Sequence, residues 1–378
     1  MDLADILHRI TLSIMHVGMP LVQGYHLLTG SVFLNVEAED AKGLEKTADY
    51  VLTPVHYLFA GQKAVALKDQ NISQIDPDEV CYTLVQRFDY NEHFMLKTTA
   101  AIAALPVSLF LGSMLKGAAC ILPEARARQH AIASSLRSTG IKSNNDYYRS
   151  LGMAIEDLNE LSTLGPPAHM RRPGDEKTMQ IDKEALREVV KILKEKNIPF
   201  WADCGTCLGA YRYGGVIPWD FDIDLAVLEP DFENVRHALN ELDHSKYIVQ
   251  DWSGRTKPNT YLKVYVKETG VLIDIYHFAI DTEAKTLTYI VSNEDSIFLP
   301  ESWKIRERRY TAPVTYDMVF PLKKAEFDGI EVLVPNKTKE YLQSRYGENI
   351  EPVKIYNEVT GRYEKDLNHP YWKLAYQK

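Results

Sequence analysis

Cysteine is scarce in this sequence of 378 residues, which has four: Cys81, Cys120, Cys204 and Cys207. Four scattered cysteines in a chain of this length do not make a disulfide scaffold, so the composition favours a reducing compartment. The first five residues include two aspartates, whereas a secretory signal begins with basic residues. We therefore expect a cytoplasmic protein.

Charge is scarce in the N-terminal part of the chain. Residues 1–170 contain 18 acidic and 13 basic side chains, against 34 and 30 in residues 171–378. Two stretches, 10–36 and 98–115, carry no formal charge at all. Buried helices would give such runs, as would a segment lying on a bilayer or, despite Pro106, a spanning helix. The sequence thus predicts a mainly helical, charge-poor accessory domain and leaves open a peripheral contact with the inner face of a membrane.

The chain length fits two domains of the usual size. Residues 165–174 contain three prolines and two glycines, which indicates a boundary between domains at 1–170 and 171–378. The net charge of −9 argues against nucleic acid as a partner, because nothing would offset phosphate repulsion over a broad surface. An acidic protein that handles phosphates needs a local cation.

Three aspartates in the second domain alternate with apolar residues: Asp220, Asp222 and Asp224. A period of two is typical of a strand and predicts that the three carboxylates lie on one side. Like charges so close together repel, so the run indicates either an exposed acidic turn or a cation site. Carboxylate oxygens are the ligands that Mg²⁺ prefers.

A fourth acid, Asp274, lies between two isoleucines in another strand-like run. It is either a further metal-site carboxylate or a hydrogen-bonded core residue. Upstream, a helix is predicted with Asp182 as its N-cap and with an apolar stripe made of Leu186, Val189, Val190 and Leu193. Gly205 and Thr206 begin a second helix, where backbone N–H groups can meet a phosphate. This order of helix, Gly-Thr turn, acid-x-acid strand and isolated acid resembles the nucleotidyltransferase fold, an α+β architecture whose mixed sheet is flanked by helices.

The resemblance extends to a family. The run GTCLGAYRYGGVIPWDFDIDLAV at residues 205–227, with FDGIEVLVPN at 327–336, resembles the signature of the LicD family, which is related to the fukutin-type phosphoribitol transferases. It covers roughly residues 180–350. Cys207 stands where leucine is commoner, and Phe221 stands where an acid is frequent. Residues 1–170 match no pattern of that family.

The resemblance implies a metal-dependent phosphotransferase. It would transfer a phosphorylated alcohol, such as phosphocholine, from a cytidine diphosphate donor to a sugar hydroxyl of a glycan or glycolipid such as lipopolysaccharide. Asp222 and Asp224 would bind Mg²⁺ or Mn²⁺, with Asp220 as an additional ligand. Asp274 would be a further ligand or the base that accepts the proton of the acceptor hydroxyl.

Four more residues are candidates for contacts with substrate. The resemblance implies that Gly205 and Thr206 meet the donor phosphates. Arg212 would either contact a phosphate or pair with the acidic run. Lys263, in a predicted strand, would either reach phosphate or lie exposed on that strand.

Two other functions fit the same sequence. A plain nucleotidyltransferase would use the same carboxylates to attach a nucleoside monophosphate to a small molecule or protein. A membrane-docked scaffold on a degenerate enzyme fold would not need them, and the presence of Asp222, Asp224 and Asp274 argues against it.

Overall fold

The computed structural model describes Gly24, Leu28 and residues 31–66, 80, 82–90, 92–138, 143–155, 158–162, 176–220, 222–254, 256–295 and 299–374. The predicted linker at 165–174 and most of the uncharged run 10–36 lie outside this part of the chain. The described residues form two compact units, one within 17–142 and the other within 143–378. The second unit starts before the predicted boundary at residue 170, because residues 158–162 pair with one of its strands. The domain boundary itself stays a prediction.

The first unit combines helices with a small sheet. Its helices are α1 Val32–Asn35, α2 Gly43–Val51, α3 Thr53–Leu58, α4 Phe94–Ala119 and α5 Pro123–Ser138. Its strands are β1 Val36–Ala38, β2 Gln62–Ala66 and β3 Tyr82–Gln86. Strand β2 lies between the other two, parallel to β1 and antiparallel to β3. The mainly helical prediction did not anticipate this sheet.

Helix α4 contains the second uncharged run and packs against α2 and α3 through small residues. A Cβ on Gly112 would come within 2.6 Å of Leu52, so only glycine allows this approach. Ser108 donates a hydrogen bond of 2.5 Å to the carbonyl of Val51. Among the described residues α4 alone is long and apolar enough to cross a membrane, and only 11% of its most apolar window is buried. Within the part of the chain that the structure describes, α4 is therefore not a buried core helix, which was one of the alternatives left by the sequence.

The second unit is a mixed α/β structure. Its helices are α6 Asn145–Ser150, α7 Glu176–Glu195, α8 Cys204–Tyr213, α9 Phe232–Leu239, α10 Glu301–Arg308, α11 Tyr316–Val319 and α12 Thr338–Tyr346. Its strands are β4 Leu158–Ser162, β5 Phe200–Ala202, β6 Ile223–Leu228, β7 Tyr247–Asp251, β8 Tyr261–Val266, β9 Leu272–Asp281, β10 Thr286–Tyr289, β11 Val314–Thr315, β12 Lys323–Phe327, β13 Ile330–Val334, β14 Lys354–Asn357 and β15 Arg362–Lys365. Short 3₁₀ turns cover Glu229–Asp231, Arg309–Thr311 and Pro370–Lys373.

The main sheet has seven strands with β9 at its centre. One edge of β9 pairs with β6 in parallel, and the other pairs antiparallel with β8 and then β10. Strand β5 follows β6, β11 follows β10, and β7 pairs with β8. A smaller sheet joins β13, β12 and β4, and β14 and β15 form a hairpin. In the main sheet the parallel pair of β6 with β9 aligns the starts of two strands that both begin near acidic residues.

Helix α7 shows where the sequence placed a boundary incorrectly. It begins at Glu176, so Asp182 is an interior residue and not the N-cap. The Asp182 carboxylate instead accepts a hydrogen bond of 3.0 Å from the hydroxyl of Thr269. The predicted apolar stripe is confirmed, because its four residues are buried: Leu186, Val189, Val190 and Leu193.

Candidate active site

Three carboxylates meet where β6 and β9 begin. The two strands run parallel with Asp224 in register with Asp274, and Asp222 lies one residue before β6. One oxygen from each of the three side chains lies within 4.8 Å of the others. We call Asp222, Asp224 and Asp274 the acidic cluster. The structure thus brings together three of the four carboxylates that the sequence proposed as ligands, and the fourth, Asp220, lies before the start of β6.

The acidic cluster is electrostatically costly. Asp224 and Asp274 are each 5% exposed, whereas Asp222 is exposed. Burial, reinforced by the charges of Asp222 and Asp274, holds the pKa of Asp224 well above its usual range. Burial also raises the pKa of Asp274, and Lys263 partly offsets that effect. Converging oxygen ligands with too little positive charge suit a hard divalent cation such as Mg²⁺ or Mn²⁺.

Lys263 faces this cluster from the neighbouring strand. It lies opposite Asp274 on β8, and its Nζ is 2.7 Å from Asp274 Oδ1. Its side chain is largely buried, and its Nζ lies 5.0 Å from the centre of the Tyr261 ring. Tyr276 donates a hydrogen bond of 3.3 Å to the other oxygen of Asp274. Lys263 is therefore not an exposed strand lysine; it is the partner of a cluster carboxylate, and its contact with phosphate stays a prediction.

The Gly-Thr turn fastens helix α8 to the acidic strand. The backbone N–H of Gly205 donates a 3.0 Å bond to Asp224 Oδ2, and the Thr206 hydroxyl accepts a 2.7 Å bond from the Asp224 backbone N–H. A Cβ on Gly205 would lie 2.5 Å from Asp220 Oδ2, so Asp220 also borders the helix start. Thr206 is buried, and its hydroxyl orients Asp224. The phosphate contacts of Gly205 and Thr206 remain predictions.

A series of buried, hydrogen-bonded side chains behind the site was not predicted from the sequence. Asp203 accepts a 2.6 Å hydrogen bond from the hydroxyl of Tyr341, and Arg345 donates to the same hydroxyl at 3.3 Å. The backbone N–H of Asp203 also donates to the carbonyl of Asp224 at 3.0 Å. This series links helix α12 to the strand that carries the site. The sequence signal for it was Asp203 itself, an acid that lies two residues before the run at residues 205–227.

Arg212 and Asp328 connect helix α8 and the loop after it to the C-terminal part of the chain. Arg212 donates bonds of 2.6 Å from Nε to the carbonyl of Ile350 and from Nη2 to that of Glu351. These bonds anchor a backbone segment, so the structure does not show the expected pairing with the acidic run. Asp328, at the β12–β13 turn, accepts a 2.8 Å bond from the backbone N–H of Val216. The two halves of the motif therefore meet in the folded chain.

A comparison with known proteins finds a family whose model matches the segment that contains this site. Residues 197–337 match the family model for the LicD/FKTN/FKRP nucleotidyltransferase domain. The match includes the acidic cluster, the start of helix α8, Lys263 and Asp328.

Two curated relatives and one solved structure indicate the breadth of the similarity. Mouse ribitol 5-phosphate transferase FKRP is 22% identical over 44% of this chain and 31% of its own length. Mouse ribitol-5-phosphate transferase FKTN is 28% identical over 46% of this chain and 34% of its own length. The chain therefore spans about a third of the length of these two relatives. The lincomycin-bound lincosamide adenylyltransferase LnuA aligns over 44% of this chain and 87% of its own, with 12% identity and a TM-score of 0.28.

Proposed function

We propose that this phosphotransferase, whose residues 197–337 belong to the LicD family, transfers a phosphorylated alcohol from a cytidine diphosphate donor to a sugar hydroxyl of a glycan or glycolipid. The observation that supports it best is the convergence of Asp222, Asp224 and Asp274 within 4.8 Å, inside the matched segment and beside the start of helix α8. The names of FKRP and fukutin, ribitol 5-phosphate transferases, are the basis for the phosphorylated alcohol.

In this proposal the acidic cluster would hold Mg²⁺ or Mn²⁺. A divalent ion bound there would neutralise the charge of the donor phosphates, the main requirement of phosphoryl-type transfer. The sugar oxygen forms a bond to the phosphorus that carries the alcohol, and the bond from that phosphorus to cytidine monophosphate breaks. Asp274 serves as the third ligand or as the acceptor of the hydroxyl proton, and Lys263 favours its ionised form and orients it.

Donor breakdown tests the reaction. Purified protein is incubated with Mg²⁺ or Mn²⁺, a panel of cytidine diphosphate alcohols and a glycan acceptor, and cytidine monophosphate is measured. We expect release that depends on metal and acceptor, and loss of at least 100-fold in Asp224→Asn. Asp243→Asn changes an acid remote from the motif in sequence and serves as the matched control. Pyrophosphate release from a nucleoside triphosphate, with every diphosphate alcohol inert, would instead support nucleotidyl transfer.

The role of Asp274 is resolved by comparing metal affinity with rate. If Asp274 is a ligand, Asp274→Asn weakens Mn²⁺ binding and the rate together. If it is the proton acceptor, the variant retains most of its Mn²⁺ affinity while the rate falls and its dependence on pH changes.

A further inference from the structure

Helix α4 of the first unit has two unlike faces. The buried face is made of small residues and one lysine: Ala101, Ser108, Gly112, Lys116 and Ala119. This face packs against α2 and α3 along the length of the helix. Lys116 is fully buried and pairs with Asp49 of α2, so its charge is neutralised inside the unit. The buried face is therefore fixed, and the orientation of α4 within the unit is well defined.

The opposite face is apolar and exposed. Seven large side chains on it are 44% to 72% exposed: Met95, Leu96, Ile102, Val107, Phe110, Leu111 and Met114. At 3.6 residues per turn they project over an arc of about 180°, opposite the buried face. No charged residue interrupts positions 98–115. We call these seven residues the apolar arc, and exposed Ile121 and Leu122 continue it beyond the helix.

The area and composition of the apolar arc distinguish between three binding partners: a second copy of the chain, another protein and a lipid surface. The 26 residues of α4 make a helix about 39 Å long, so a strip about 10 Å wide covers on the order of 400 Å². Two copies meeting through it would bury about 800 Å², which is less than the roughly 1,200 Å² of a stable protein interface. A protein interface also has a polar rim and direct hydrogen bonds, whereas positions 98–115 carry no charge and four hydroxyl side chains, of which those of Thr99 and Ser108 already bond to backbone carbonyls. A hydrocarbon surface requires no polar contacts, and insertion into it is favoured in proportion to the apolar area that is buried.

A spanning arrangement does not fit the surroundings of the helix. Helix α2, which packs along the buried face, contains Glu45, Lys46 and Asp49. If α4 crossed the bilayer, these charges would be carried into the hydrocarbon with it. An orientation in the plane of the interface keeps α2 and α3 on the water side and places only the apolar arc in lipid.

We propose that helix α4 docks the protein on a lipid bilayer, lying in the membrane plane with the apolar arc inserted among the acyl chains. The attraction is hydrophobic, because positions 98–115 carry no charge that could bind anionic headgroups. Binding is therefore expected on neutral phosphatidylcholine and to persist in high salt. It does not depend on the proposed catalytic reaction, so either proposal can fail without the other.

Flotation with phosphatidylcholine vesicles tests this inference on the full chain. We expect the wild type to float with the vesicles at both 0.1 M and 1 M salt. Phe110→Asp and Val107→Asp are each expected to lower the bound fraction at limiting lipid by about tenfold or more. Val359→Asp replaces a side chain that is 95% exposed on the β14–β15 hairpin and serves as the matched control, which should bind like the wild type.

Each other outcome overturns the inference. Flotation that Phe110→Asp and Val107→Asp leave unchanged would assign the contact to another segment. Binding only to anionic vesicles, abolished by salt, would make it electrostatic. A wild type that stays off vesicles but forms a dimer, which Phe110→Asp dissociates, would identify a second copy as the occupant. Thermal melts by circular dichroism establish that the variants are folded, and Ile102→Asn replaces any that is not.

Discussion

Replacing Gly205 by alanine tests whether the start of helix α8 sets the geometry of the acidic cluster. The new Cβ would lie 2.5 Å from Asp220 Oδ2 and 3.3 Å from Asp224 Oδ2, whereas ordinary contact begins at 3.4 Å. The Asp220 carboxylate must therefore retreat by about 0.9 Å, and Asp224 by a smaller amount. A misplacement of about 1 Å in a catalytic constellation costs about 100-fold in rate. We expect Gly205→Ala to lose about that much in kcat/KM.

The assay separates displacement from unfolding. Alanine is favoured over glycine by about 1 kcal/mol inside a helix, and this gain offsets part of the strain from the new contact with Asp220. The melting temperature of Gly205→Ala should therefore change little. Mn²⁺ affinity should fall, because the displaced Asp220 carboxylate is forced into a new position beside the acidic cluster, whereas Asp224 itself needs to move by only about 0.1 Å. Gly117→Ala is the matched control, since a Cβ at that helical glycine meets nothing within 4 Å. In the double variant Gly205→Ala with Asp220→Ala the clash is removed, and Mn²⁺ affinity should recover in part.

The opposite result would refute the reasoning. If Gly205→Ala keeps kcat/KM within twofold of the wild type and binds Mn²⁺ normally, the turn does not position the cluster. If the double variant is no better than Gly205→Ala, the crowding of Asp220 is not the cause of the loss.

Three further predictions concern charge. Lys263→Met removes the cation beside Asp274, so its kcat/KM should fall by at least tenfold. Lys263→Arg keeps the charge and should retain part of the activity. Equal kcat/KM for the wild type and both variants would contradict the role assigned to Lys263. The folded state raises the pKa of Asp224, so protonation stabilises the fold at low pH and this contribution is lost as pH rises through the raised pKa. Mg²⁺ should therefore raise the melting temperature more at pH 8 than at pH 5, and the reverse order would contradict a carboxylate site. Lys116→Met leaves Asp49 buried without its cation and should cost about 3–5 kcal/mol in urea unfolding, while adding Asp49→Leu should restore most of it.

Local patterns were enough to predict much of the second unit. The strands at Tyr261–Val266 and around Asp274 follow from alternating and apolar runs, and both are found. Helix α7 was recognised by its apolar stripe, but its start was placed too late, because Asp182 bonds through a tertiary contact inside the helix and does not act as a cap. The sheet of the first unit was missed, because its strands of three to five residues carry too few side chains for a clear period.

By itself, the sequence identified the candidate residues for the chemistry, because acids spaced two apart on a buried strand and a glycine at a helix start are local patterns. Which of these side chains contact one another was decided only by the tertiary structure. The parallel register sets Asp274 beside Asp224, and the neighbouring strand β8 brings Lys263 to the Asp274 carboxylate. The tertiary structure likewise determined that Arg212 bonds to the backbone carbonyl of Ile350 and that one face of α4 is exposed. Such contacts depend on which elements pack together, and residue type and spacing along the chain do not specify that.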